Sequence, residues 1–154
     1  MFVARAAEKM RRQKLACVSL MVCIETNEFR PQDPQHDAGK VVRLPVGTAD
    51  TGRLNAAAQA ALRIIWRPGF RYKKAGVVFL ELVQADRVQG GLFDEPDDAR
   101  SHVRMRAVDG LNHRFGRGTI AFGVPTGGER QTWRMRRDLL SPRYTTRFDE
   151  LLAV

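Results

Sequence analysis

The sequence predicts an α+β fold: an incomplete βαββαβ sheet with two helices on one face, followed by a linker and a small α/β or irregular C-terminal region. Three observations predict it. Three β-branched runs read as strands, two stretches of helix-forming residues alternate with them, and the charge changes sign after residue 84. The order is helix, strand, strand, helix, strand, so one strand at the front of the βαββαβ pattern is missing.

Val3 to Leu15 holds Ala, Glu, Lys, Met, Arg and Gln with no Gly or Pro, a helix-favouring composition already under way at Met1. Cys17 to Ile24 is β-branched and continuously apolar, as a largely buried strand is. Cys17 and Cys23 are an even number of residues apart, so regular alternation puts both on one face as small core side chains in a reducing cytosol. Asn27 to Gly39, with two prolines, is a loop. Lys40 to Val46 is a second strand that Pro45 confines to an edge or a strand end. Asp50 or Thr51 then caps a helix in which Leu54, Ala57, Ala58, Ala61, Leu62 and Ile65 recur at helical spacing up to Pro68-Gly69. Tyr72 to Gln84 is the third strand, and Trp66, Phe70 and Tyr72 read as core or hinge aromatics.

The 26 Lys+Arg against 17 Asp+Glu give +9, which points to a polyanionic partner bound through phosphate neutralisation. A basic but inert surface is the alternative. Residues 1–84 hold 14 basic and 7 acidic groups, residues 85–100 hold 2 and 5, and residues 101–154 hold 10 and 5. This divides the chain into a basic domain (1–84), an acidic linker (85–100) and a basic C-terminal region (101–154). In the last, Ser101 caps a helix to about Arg114, Gly116 to Gly118 ends it, and a short strand runs from Thr119 to Val124. Pro125 to Gly128 is a turn, and the tail from Gln131 to Val154, interrupted by Ser141-Pro142, reads as irregular or ordered by a partner, with a short helix near its end.

Gln89-Gly90-Gly91-Leu92-Phe93-Asp94 has the form of a docking peptide, with Leu92 and Phe93 as apolar anchors and Gln89 as a hydrogen-bonding group. Two readings stand: the pair enters a partner's pocket, or it pins the linker to the core. Asp94-Glu95-Pro96-Asp97-Asp98 is the dense carboxylate cluster, placed in a solvated linker without a rigid scaffold for catalysis. His36, His102 and His113 form no metal-ligand spacing with the cysteines, so no metal is expected. Basic residues precede the apolar stretch Leu15 to Ile24, but no small-x-small cleavage site follows and the stretch is too short to span a bilayer. A cytoplasmic protein with no membrane partner is expected.

The stretches Arg5 to Lys9, Asn55 to Trp66, Gly69 to Val77, Gln89 to Asp94, Gly116 to Thr119, Trp133 to Arg137 and Leu140 to Arg147 carry a resemblance that spans nearly the whole chain. Together they resemble the C-terminal end of the UmuC family of Y-family translesion DNA polymerases. The QxxLF spacing of Gln89, Leu92 and Phe93 also resembles the sliding-clamp-binding motif, with Gly90 where an aliphatic residue is common. The resemblance implies that residues 1–84 form most of a little-finger domain, which lays a four-stranded sheet on duplex DNA. It implies that residues 101–154 form the region associated with UmuD′ and the RecA filament in SOS mutagenesis. It places the palm carboxylates that hold two Mg²⁺ outside this stretch, so no catalytic residue and no cofactor are expected here.

For DNA contact the expected residues are Lys40 and Arg43 on the second strand and Arg71, Lys73 and Lys74 at the mouth of the third, facing outward together. A solvated strand end guarded by lysines is the other reading. In the C-terminal region Trp133, Arg143 and Tyr144 are the expected partner anchors. The functional expectation is a DNA-gripping and partner-docking portion of a translesion polymerase, without polymerase activity of its own. Its rival is an interaction module that competes for the sliding clamp or RecA without binding DNA.

Overall fold

Residues 1–91, 93–94, 96–116, 118–122 and 141 are described by the structure, a computed structural model. The elements run α1 (Phe2–Arg12), β1 (Leu15–Thr26), β2 (Asp37–Thr48), α2 (Thr51–Ile65), β3 (Tyr72–Gln84) and α3 (Ala99–Phe115), with one 3₁₀ turn at Ala85–Arg87. The fold is α+β: an antiparallel sheet in the order β2-β1-β3, with α1 and α2 packed on one face.

The helix spacing in the sequence sets that packing. Val3, Ala7 and Met10 of α1 and Leu54, Ala58, Ala61 and Ile65 of α2 recur every three or four residues and are all buried. They close over Leu20, Val22 and Ile24 of the central strand. Asp50 caps α2, its carboxylate accepting from the backbone N–H of Gly52 at 2.6 Å and of Arg53 at 3.1 Å. At the other end Trp66 turns extended ahead of Pro68. β2, which contains Pro45, is an edge strand.

The two cysteines do not share a face. Against β3, Cys17 pairs with Leu82 and Ser19 with Glu81, so Val18 is the extra residue of a bulge, and Cys17 and Leu20, three residues apart, both belong to the core. Cys17 therefore belongs to the core under the helices, whereas Cys23 sits between Gly39 and Gly76 on the open face. A Cβ on Gly76 would meet the Cys23 sulfur at 2.9 Å. Burial pushes the Cys17 thiol up to about 11, the Ser19 carbonyl that accepts its S–H pulls it down, and Glu81 adds to the rise. A thiol reagent at pH 8 is expected to leave Cys17 unmodified in the folded protein and to reach it only on unfolding; equal native labelling of Cys17 and Cys23, read by peptide mass, would contradict this placement.

The open face carries a cross-strand row of Val41, Met21 and Val78, with the valines about half exposed. No helix covers that row among the described elements.

The acidic segment is not a free linker. Asp97 accepts from the Thr48 hydroxyl and the Ala49 N–H, both at 2.7 Å, and its side chain is only 6% exposed. Asp98, not Ser101, caps α3 by accepting from the Ser101 N–H at 2.7 Å. Ser101 is buried instead and donates to Asp50 at 2.6 Å, while Met105 is buried with its sulfur 3.4 Å from the Thr51 N–H. From α1, Arg11 reaches Asp109 through two bonds of 2.8 and 2.7 Å, and also donates to the Ala49 carbonyl and the Thr51 hydroxyl. A third helix is thus fastened to the helical layer by polar contacts between residues far apart in sequence. Gly116 and Gly118, at φ 105° and 89°, end it as expected. The described part of the expected strand, Thr119 to Phe122, forms none; the rest lies outside the described residues.

Candidate nucleic-acid interface

Four of the five cations expected to meet DNA gather toward one end of the sheet. Lys74 stands opposite Glu25 and Tyr72 opposite Thr26, so residues 71–74 flank the β1–β2 loop. Lys40, opposite Val22, lies a few residues further in on the other side of β1. Arg43 is opposite Ser19, six residues along the central strand from the Lys74 position, or about 20 Å at the usual strand rise.

The expectation that all five face outward together is corrected. Directly paired residues share a face, so Lys40 has the helix-side parity of Val22, whereas Lys74 and Arg43 belong to the open side with Glu25 and Ser19. Two of the cations also have carboxylate partners. Arg43 lies 3.6 Å from Glu81, and Lys74 lies 3.2 Å from Glu25 and 3.8 Å from Glu28. The hydrogen bond and charge of Glu25, then the charge of Glu28, raise the Lys74 ammonium above its ordinary value. Lys40, Arg71 and Lys73 have no ion pair among the described residues.

The loop end has structure of its own. Gln35 holds the β1–β2 loop by donating to the carbonyls of Asn27, Arg30 and Asp33. The Tyr72 hydroxyl joins that loop to the α2–β3 connection: it lies 3.0 Å from His36 Nδ1 and accepts from the Arg67 N–H at 3.1 Å. Phe70 packs on the His36 ring at 4.9 Å between centroids. The α2–β3 connection escapes the helix because Pro68 cannot extend it and Gly69 takes φ 87°.

Sequence reasoning missed what this end displays. Trp66, expected as a core or hinge aromatic, is 53% exposed, and Phe29 in the facing loop is 84% exposed. Arg30 and Arg67 add two cations whose side chains have no partner among the described residues. The paired motifs "FR" at 29–30 and "WR" at 66–67 were the available signal, and only the folding of one loop against the other gives them meaning.

Of the docking motif, Gln89 is exposed and Phe93 is 92% exposed, while Leu92 lies outside the described residues. Phe93 does not pin the segment to the core. Trp133, Arg143 and Tyr144 also lie outside the described residues. Among the described residues no cluster of three His, Cys, Asp or Glu is arranged to hold a metal, and no helix is long and apolar enough to cross a membrane.

Two family models match the chain: the impB/mucB/samB family C-terminal domain over residues 1–92, and a domain of unknown function, DUF4113, over residues 105–154. Asp97, Asp98 and Ser101, which fasten α3, lie between the two matches, and Met105 of the second is buried against Thr51 of the first. The chain is 38% identical to Protein UmuC of Salmonella typhimurium over 99% of its own length and 36% of that protein. It is 35% identical to Protein ImpB of Salmonella typhimurium, covering 97% of this chain and 35% of that one. To Protein MucB of Escherichia coli it is 37% identical, covering 94% of this chain and 34% of the relative. The chain thus spans about a third of the length of the curated relatives it matches. No solved structure matches it. With the first family model covering more than half of its residues and UmuC-like identity running nearly end to end, the chain belongs to the impB/mucB/samB family, as a UmuC-like C-terminal portion.

Proposed function

We propose that this chain is the DNA-gripping and partner-docking portion of a Y-family translesion polymerase acting in SOS mutagenesis. The observation that carries the DNA-gripping role is that Arg71 and Lys73 beside the β1–β2 loop, and Lys40 further in on β2 with helix-side parity, have no carboxylate partner among the described residues. Such cations hold sugar-phosphate and read no sequence, which suits a module that must accept damaged templates. The exposed Phe93 supports docking of the Gln89, Leu92, Phe93 segment on the sliding clamp. On the family resemblance, the same proposal takes UmuD′ and RecA as the partners of residues 101–154 and gives these residues no part in Mg²⁺-dependent nucleotidyl transfer.

Replacing Lys40, Arg71 and Lys73 together by Gln is expected to weaken duplex binding and to lower the log–log salt slope by about one for each phosphate left without its cation. Leu92→Ala with Phe93→Ala is expected to abolish clamp capture and leave duplex binding unchanged. The pairing of Arg43 and Lys74 with carboxylates favours a second reading, an interaction module that competes for the clamp or RecA without gripping DNA. Clamp binding without any duplex binding selects that reading.

A further inference from the structure

We infer that the loop end of the sheet takes unpaired bases, so that it is a single-strand nucleic-acid site as well as a phosphate grip. This rests on the DNA-gripping reading and adds the class of ligand: a strand whose bases are free to stack. Two features support it. The facing loops expose Trp66 and Phe29, large aromatic surfaces that a folded chain ordinarily buries. The same two loops and the adjoining strand end carry Arg30, Arg67, Arg71 and Lys73, whose side chains have no ion-pair partner among the described residues.

Aromatic faces interleaved with cations are what a flexible single strand requires: each base has a π-face to stack, and each phosphate between bases needs a counter-charge. A blunt duplex offers phosphates but hides its base faces, so cations alone would serve it. Neither aromatic is needed to close the core, because the helix side of the sheet is sealed by Leu20, Val22, Ile24 and the helix residues above them. The His36, Phe70 and Tyr72 contacts hold the β1–β2 loop and the α2–β3 connection, which carry Phe29 and Trp66, in a fixed relation.

The test uses Trp66 itself as the reporter. The chain has two tryptophans, so Trp133→Phe leaves Trp66 as the single tryptophan, excited selectively at the red edge beyond the tyrosines. Titrating the full chain with oligo(dT) is expected to quench Trp66. Trp66→Ala and Phe29→Ala, read by anisotropy of labelled oligo(dT), are each expected to weaken single-strand binding by roughly tenfold while changing duplex affinity less than twofold. Both positions are exposed, and unchanged circular dichroism and melting temperature confirm that the variants fold. Duplex binding without Trp66 quenching at saturating oligo(dT), or aromatic variants that hold oligo(dT) as tightly as the parent, overturns the single-strand site and leaves the DNA-gripping reading standing. Binding of neither nucleic acid overturns both.

Discussion

Asp50→Ala is expected to lower stability by roughly 2–4 kcal/mol, because one substitution removes a helix cap and the acceptor for a buried hydroxyl. The Asp50 carboxylate accepts from Gly52 and Arg53 at the start of α2 and from Ser101 and Arg104 on α3. With the acceptor gone, Ser101 is left buried with a donor that the third helix cannot turn to solvent. For a chain of this length the melting temperature should fall by roughly 5–15 °C. Asp50→Asn, which keeps a capping oxygen but not the charge, should lose less.

Acid should reproduce part of this loss. Burial pushes the Asp50 carboxyl up, but the hydrogen bonds from Ser101, Arg104, Arg53 and Gly52 outweigh it and hold the group down at about 2, against an ordinary 3.8. A carboxylate whose folded value is depressed contributes stability that is complete above its unfolded value and disappears as pH falls through the folded one. Between pH 4 and pH 2 the parent should therefore lose stability faster than Asp50→Ala, measured by urea midpoints. Parallel pH profiles for the two proteins would show that Asp50 does not link α2 to α3.

The elements legible in the sequence were those fixed by neighbours in the chain. Leu54, Ala58, Ala61 and Ile65 announce α2 because one helix face must be apolar, and Asp50 announces its start because the first N–H groups need an acceptor close by. What stayed hidden depends on partners distant in sequence. Nothing near Asp97 reveals that Thr48 and Ala49 will meet its carboxylate, so a run of acidic residues read as solvated linker. The bulge at Val18 reverses the facing of the strand on one side of it, and period-two reasoning therefore put Cys17 and Cys23 together.

The candidate site divides in the same way. The basic residues at the mouth of β3 were legible from composition, whereas their partners were not: Glu25 meets Lys74 and Glu81 meets Arg43 only because the central strand brings the edges into register. The distribution of charge also differs from the expectation. Among the described elements, the three helices hold ten Lys and Arg against two Asp and Glu and the three strands four against three, so the helices carry more of the excess positive charge than the sheet does. A grip on the sheet must therefore depend on the few cations, Lys40, Arg71 and Lys73, that have no carboxylate partner among the described residues, supported by the field of the helical layer.

The second large effect is electrostatic. Phosphate neutralisation releases condensed counterions, so the three cations of the grip, neutralising about three phosphates, imply a log–log salt slope of about −2.7 and an affinity loss of roughly fortyfold between about 50 and 200 mM salt. No base edge is read, so duplexes of unrelated sequence should fall on the same line. The direct measurement is an anisotropy titration of two unrelated labelled duplexes across that salt range. Steep, superimposable lines are predicted; an affinity indifferent to salt, or no binding at the lowest salt, would contradict the assignment of this chain as a DNA grip.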